Sequence, residues 1–118
     1  MWSDDDAPTG TADDVEISFT RFESADGRCD LQVRGDLDIA TSGLLGHELH
    51  DLLDLDFTHI GVNLSGVSFI DSSALSVLVR AHERATNRGD RLELLHPSPA
   101  CTKVFSITGL DRVFDLAE

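Results

Sequence analysis

The stretch from His59 to Arg88 changes its hydrophobic period halfway along, and that change constrains the fold more than composition does. In HIGVNLSGVSFI (59–70), Ile60, Val62 and Leu64 share one face, a small-residue bend follows, and more apolar residues come after it. That pattern predicts a buried strand. From Ser72 onward Leu75, Leu78, His82 and Ala85 define one helical face, with Ala74 and Ala81 flanking it. Ser76, Arg80, Glu83, Arg84 and Asn87 define the other face, and Gly89 stands where a left-handed residue would end the helix. A strand joined to a helix by only Asp71-Ser72-Ser73 calls for a layered α/β arrangement, because each element must bury its apolar face on a neighbour.

The flanking segments extend this pattern. VEISFTRF (15–22) and CDLQVRG (29–35) alternate as half-buried strands around the Asp-Gly turn in SADGR (24–28), which predicts a hairpin. Thr41 or Ser42 can N-cap a helix whose Leu45, Leu49 and Leu52 form the apolar stripe. RLELL (91–95) reads as a short strand. Ser98-Pro99 reads as an N-cap followed by Pro at the first helical position, and Gly109 closes that helix. RVFDLA (112–117) is expected to be a final edge strand. The order β-β-α-β-α-β-α-β predicts one α/β domain, a mixed sheet with helices packed against it. The chain has 118 residues, which suits one domain. With no Tyr, one Trp and six Phe, its core must be largely aliphatic.

Residues 1–14 hold five Asp and no basic residue, and are expected to form a disordered acidic tail, leaving 15–118 as the domain. The net charge of −13 disfavours binding to a phosphate backbone or an anionic membrane. No apolar run approaches the roughly 18 residues of a membrane span, and the first residues lack a secretory pattern. A cytoplasmic protein with Cys29 and Cys101 reduced is the expectation.

The chemistry-bearing candidates centre on Asp71-Ser72-Ser73. Asp71 is placed to accept from the free N–H groups of the following helix, which puts Ser72 and Ser73 in its first turn. A phosphate there would be tolerated by the positive end of the helix dipole. A partner docked over that end with a carboxylate or an apolar surface would be repelled. A plain capping cluster explains the same three residues, and spacing leaves both accounts standing. HELH (47–50) lacks the second His at zinc-protease spacing, where Asp51 stands. His59, His82 and His96 have no companions at ligand spacing, so no metal or cofactor is expected. No nucleophile elbow, Walker A or G-x-G-x-x-G sequence occurs. The two RGD triplets, at 34–36 and 88–90, fall where elements end. The acids of GDLD (35–38) suit either an acid–base pair or an acidic recognition loop.

GDLDIAT (35–41), VNLSGVSFIDSSALSVLVRA (62–81) and SITGLDRVF (106–114), in that order, resemble the STAS domain, and more narrowly the bacterial anti-sigma factor antagonists. The resemblance covers about residues 15–117, and the middle block is its most specific part. It implies a four- or five-stranded mixed sheet and a binding module that is not an enzyme. The implied partner is an anti-sigma factor with a histidine-kinase-like ATPase fold that can act as a serine kinase. Ser72 would be the phosphorylated residue, and a phosphatase would reverse the step. Asp36, Asp38, Asp71, Ser73 and Ala74 would belong to the partner surface. Ala74 departs from the Gly found in many members at that position. Two other readings are a STAS accessory subunit of a transporter or sensory complex, and a small hydrolase using Asp71, Ser72 and a histidine.

Overall fold

β1 (Ile17–Glu23) and β2 (Arg28–Leu37) form the expected hairpin, with Ile17 opposite Gly35 and Glu23 opposite Cys29. Its turn needs Gly27, whose φ of 86° lies in the left-handed region that side chains disfavour. These and all other features come from a computed structural model that describes residues 17–114. The expected acidic tail at 1–14 lies outside the described residues. After the hairpin come α1 (Ser42–Asp54), β3 (His59–Ile70), α2 (Ser72–Asn87), β4 (Arg91–Leu95), α3 (Pro99–Thr108) and α4 (Leu110–Val113).

The sheet runs β1-β2-β3-β4, with β2, β3 and β4 parallel. Each crossover through α1 or α2 moves the chain one strand in the same direction. Right-handed crossovers then place both helices on one face. The side chains obey that geometry. Cys29, Ile60 and Leu92 lie abreast, as do Leu31, Val62 and Leu94, and all six are buried. Leu45, Leu49, Leu52, Leu75 and Leu78 meet them from the helices. Cys29 and Cys101 are both free and buried, and burial pushes both thiols up in pKa.

The opposite face carries Arg28, Asp30, Gln32, His59, Asn63 and Glu93. Arg28 Nε donates to Asp30 at 3.0 Å, its Nη1 lies 3.0 Å from His59 Nε2, and His59 contacts Glu93. Gly61 makes this lattice possible, since any Cβ there would run into Asp30 and Leu95 side chains. Parallel strands usually need both faces covered. Here an ion-pair network takes the place of a second helical layer.

Arginines fasten α1 to its neighbours. Arg88 Nη1 donates to the Leu53 carbonyl at 2.6 Å, a second donor on a helix-end acceptor that Asp56 N also reaches at 3.0 Å. Arg84 reaches His50 and Asp54, so it does not lie on a purely solvated face as its spacing suggests. Arg21 on β1 donates to Glu48 and Asp51, both at 3.1 Å.

The structure departs from the expected last element. Arg112 and Val113 lie in α4, Phe114 caps it, and the rest of the expected strand lies outside the described residues. The cause is Phe114, only 3% exposed, with its ring edge-on to His82 at 5.0 Å and tilted on Phe105 at 6.3 Å. Burying that ring takes the chain back across the helices. The seven elements before it keep the expected order.

Leu78 is fully buried between α2 and the sheet. Leu78→Ala is expected to lower stability by about 2–5 kcal/mol with an unchanged m-value in urea unfolding, the cost of lost transfer energy plus a cavity.

Candidate functional site

Two parallel strands end side by side, with Asp36 beside Phe69 and Leu37 beside Ile70. The carboxyl ends of such strands are where loops converge and where helices begin. Asp71 joins the two ends. Its backbone N–H donates to the Leu37 carbonyl at 3.1 Å, and its side chain starts α2. Extended backbone at Asp71 (φ −124°, ψ −175°) aims the carboxylate at the first turn. Oδ1 accepts from Ser73 N at 2.9 Å, Ser73 Oγ at 2.5 Å and Ala74 N at 3.3 Å. The Ser73 hydroxyl is the main influence holding this carboxyl below the usual carboxylate range; the Ala74 and Ser73 amides add to it, and desolvation opposes them.

This cap separates the two serines. Ser73 is half-buried and spends its hydroxyl on Asp71. Ser72 is exposed, and no hydrogen bond of its hydroxyl is found among the described residues. It borders a shallow groove between α2 and Leu110 that runs past Ser76 and Arg80. Ala74 is fully buried, so its methyl group lines the core and offers no side chain to a partner. Its position in the expected contact set is corrected accordingly: it shapes the turn from beneath.

The GDLD loop is built by Thr41. Thr41 is 3% exposed; its hydroxyl donates to the Asp36 carbonyl at 2.7 Å and accepts from Asp38 N at 2.9 Å. It occupies the N-cap position of α1 yet makes no side-chain cap bond, because its oxygen is committed to the loop. Asp38 Oδ1 accepts from Ala40 N at 2.9 Å and Thr41 N at 3.2 Å. Asp38 is thus a turn former, while Asp36 is exposed. An acid–base pair is not the arrangement found.

Ile39, at the tip of this loop, is 84% exposed, and Phe69, beside Asp36, is 49% exposed. The sequence reading missed both. Their signal was present: Ile39 is apolar within a turn, and Phe69 breaks the alternation by adjoining buried Ile70. Together the edge presents a free hydroxyl at a helix start, acidic rims and apolar tips.

Hydrolytic machinery does not assemble here. His50 contacts Arg84, His59 contacts Arg28 and Glu93, and His82 packs on Phe114. No described histidine is hydrogen-bonded to Ser72. Among the described residues no cluster of three His, Cys, Asp or Glu could hold a metal ion.

Comparison with known proteins gives the following. The family model described as "Mlab, STAS domain" matches residues 11–117. The chain is 29% identical over 90 residues to the anti-sigma-B factor antagonist of Bacillus subtilis (strain 168), covering 75% of this chain and 82% of that one. It resembles the crystal structure of an anti-sigma factor antagonist from Mycobacterium paratuberculosis with a TM-score of 0.76 at 25% identity, covering 85% and 84% of the two chains. It shares the fold of the Bacillus cell fate determinant SpoIIAA in its phosphorylated form, with a TM-score of 0.67 at 24% identity over 86% and 92%.

Asp71→Ala should cost about 0.5–2 kcal/mol of stability at neutral pH, read by urea unfolding, because the first-turn amides lose their acceptor. A depressed carboxyl stabilises the fold fully above its unfolded value of about 4, and that contribution fades as pH falls through the lower folded value. Asp71→Asn should therefore show a flatter loss of stability than the wild type on acidification below about pH 4.

Proposed function

Because the chain belongs to the STAS-domain family, we propose that it is an anti-sigma factor antagonist whose docking is switched at Ser72. Unmodified, it binds an anti-sigma factor with a histidine-kinase-like ATPase fold, and the bound sigma factor is released. That partner, acting as a serine kinase, phosphorylates Ser72 and ends the complex. A phosphatase restores the first state. The chain itself supplies a surface and a phosphate acceptor.

The observation that carries this reading is the division of labour between the two serines. Asp71 captures the Ser73 hydroxyl, while the Ser72 hydroxyl is exposed at the first position of a 16-residue helix. A phosphate at that position adds about −1.5 to −2 charges, which the helix end accepts without melting. The cost falls on the partner instead. At the same strand ends Ile39 and Phe69 are exposed apolar groups, and Asp36, beside Phe69, offers charge. A dianion introduced there must be desolvated against whatever covers those groups. A penalty of about 3 kcal/mol weakens binding roughly a hundredfold.

Co-purification with cellular partners, followed by mass spectrometry of the 69–80 peptide, tests partner class and phosphosite together. A kinase-fold anti-sigma factor and phosphate on Ser72 are expected; recovery of membrane permease subunits alone would favour a transporter accessory role. In calorimetry with that anti-sigma factor, Ser72→Ala should bind like the unmodified protein and Ser72→Glu about a hundredfold more weakly. Equal affinities for the two variants would remove the switch.

A further inference from the structure

We propose that Arg80 receives the phosphate of modified Ser72, drawing its guanidinium along α2 and closing the groove beside the docking edge. The inference rests on reading Ser72 as the modified residue, and adds to it where the phosphate goes within the chain. Ser72, Ser76 and Arg80 recur every four residues and line one rim of the groove, whose floor is Leu75, Val79 and Leu110. Ser72 and Arg80 are two turns apart, about 12 Å along the helix axis. A long helical side chain covers the turn N-terminal to its own Cα, which directs the Arg80 guanidinium over Ser76 and toward Ser72. Ser76 is small and exposed, so it does not block that path, and its hydroxyl can donate to the same phosphate.

The surrounding charges leave Arg80 available. Arg21, Arg28, Arg84, Arg88 and Arg91 each pair with a carboxylate. Arg80 is exposed and pairs with none among the described residues. Its neighbours four residues away, Ser76 and Arg84, offer no acid, and the like charge of Arg84 pushes it toward the Ser72 side. Glu83 lines the groove beyond Arg80, away from Ser72, without an ion pair to it. Of the residues lining the groove, Arg80 is the one cation. On the other side of Ser72 stand the acids Asp36, Asp38 and Asp71, and Asp111 follows Leu110 in α4. A phosphate on Ser72 carries about −1.5 to −2 charges and three acceptor oxygens. Repulsion from the strand-end acids and attraction to Arg80 act on it in the same direction. A guanidinium meets a phosphate through two parallel N–H bonds. The paired groups then lie across Leu75, Val79 and Leu110, so the modification covers an apolar floor as well as adding charge.

The test uses the full chain synthesised with a phosphate already on Ser72, so that no kinase is needed, and follows the phosphorus resonance by NMR through a pH titration. The native sequence is compared with Arg80→Gln, Arg80→Lys and Arg34→Gln. Arg80 and Arg34 are both exposed, and Arg34 lies opposite Ser18 on the open face of the sheet, away from the groove. A cation beside the phosphate favours its dianion. The second ionisation, ordinarily near 6, should therefore lie about half a unit lower in the native chain than in Arg80→Gln at about 20 mM salt. Arg80→Lys should keep most of that shift, and Arg34→Gln should titrate like the native chain. The Arg80 side-chain N–H resonance should move on phosphorylation, and the difference between native and Arg80→Gln should shrink at about 1 M salt. Identical titration of those two chains at low salt, or an equal rise in Arg34→Gln, overturns the pairing while leaving Ser72 as the switch. Absence of phosphate from Ser72 in the cellular 69–80 peptide overturns that reading itself, and the role of Arg80 with it.

Discussion

The Asp71 cap is the interaction on which the end of the sheet bearing the candidate site depends. One carboxylate oxygen accepts from two first-turn amides and the Ser73 hydroxyl, while the Asp71 amide donates to Leu37 across the strand gap. The end of β2, the end of β3 and the start of α2 are thereby held in one arrangement. A buried or half-buried donor without an acceptor would cost about 1–3 kcal/mol, so the cap also makes this junction tolerable. By engaging Ser73 it separates the two serines, leaving the Ser72 hydroxyl exposed at the helix start.

The rest of the fold positions that junction. Both crossover helices lie on one face, and α1 is tied down by arginines from β1 and α2. The interhelical ion pairs are partly exposed, so each contributes little by itself. Arg88 does more, since it reaches a helix-end carbonyl as well as Asp56. The core beneath is largely aliphatic; among the described residues Phe105 and Phe114 are buried in it, and Phe19 and Phe57 pack against it half-buried. Phe114 decides the path of the chain end, and through α4 it places Leu110 at the groove beside Ser72.

Legibility in the sequence followed the range of the interaction concerned. Caps and turns were readable because their causes are local. Asp71 caps α2, Ser98 accepts from Cys101 N with Pro99 beginning α3, and Gly89 and Gly109 both have φ of 80°. Thr41 misled, because its hydroxyl answers to the Asp36 carbonyl five residues back, not to the helix it precedes. Ala74 was assigned to the surface by its place in a motif, and helical phase turned it into the core. Ile39 and Phe69 carry a sequence signal, an apolar residue in a turn and one out of alternation, but that signal does not say which side is left open; only the packed loop and strand end decide it.

Hydrophobic period and capping chemistry alone determined the strands, the helices, their order and the helix start at Asp71, because those depend on residues within a turn or two of one another. Tertiary structure alone decided which serine hydroxyl is left exposed, that Asp38 is spent on a turn, and that the last described segment is helical. Each of these depends on side chains or strand ends brought together by the sheet register and helix packing, and no local pattern encodes which groups a folded chain will consume and which it will leave exposed.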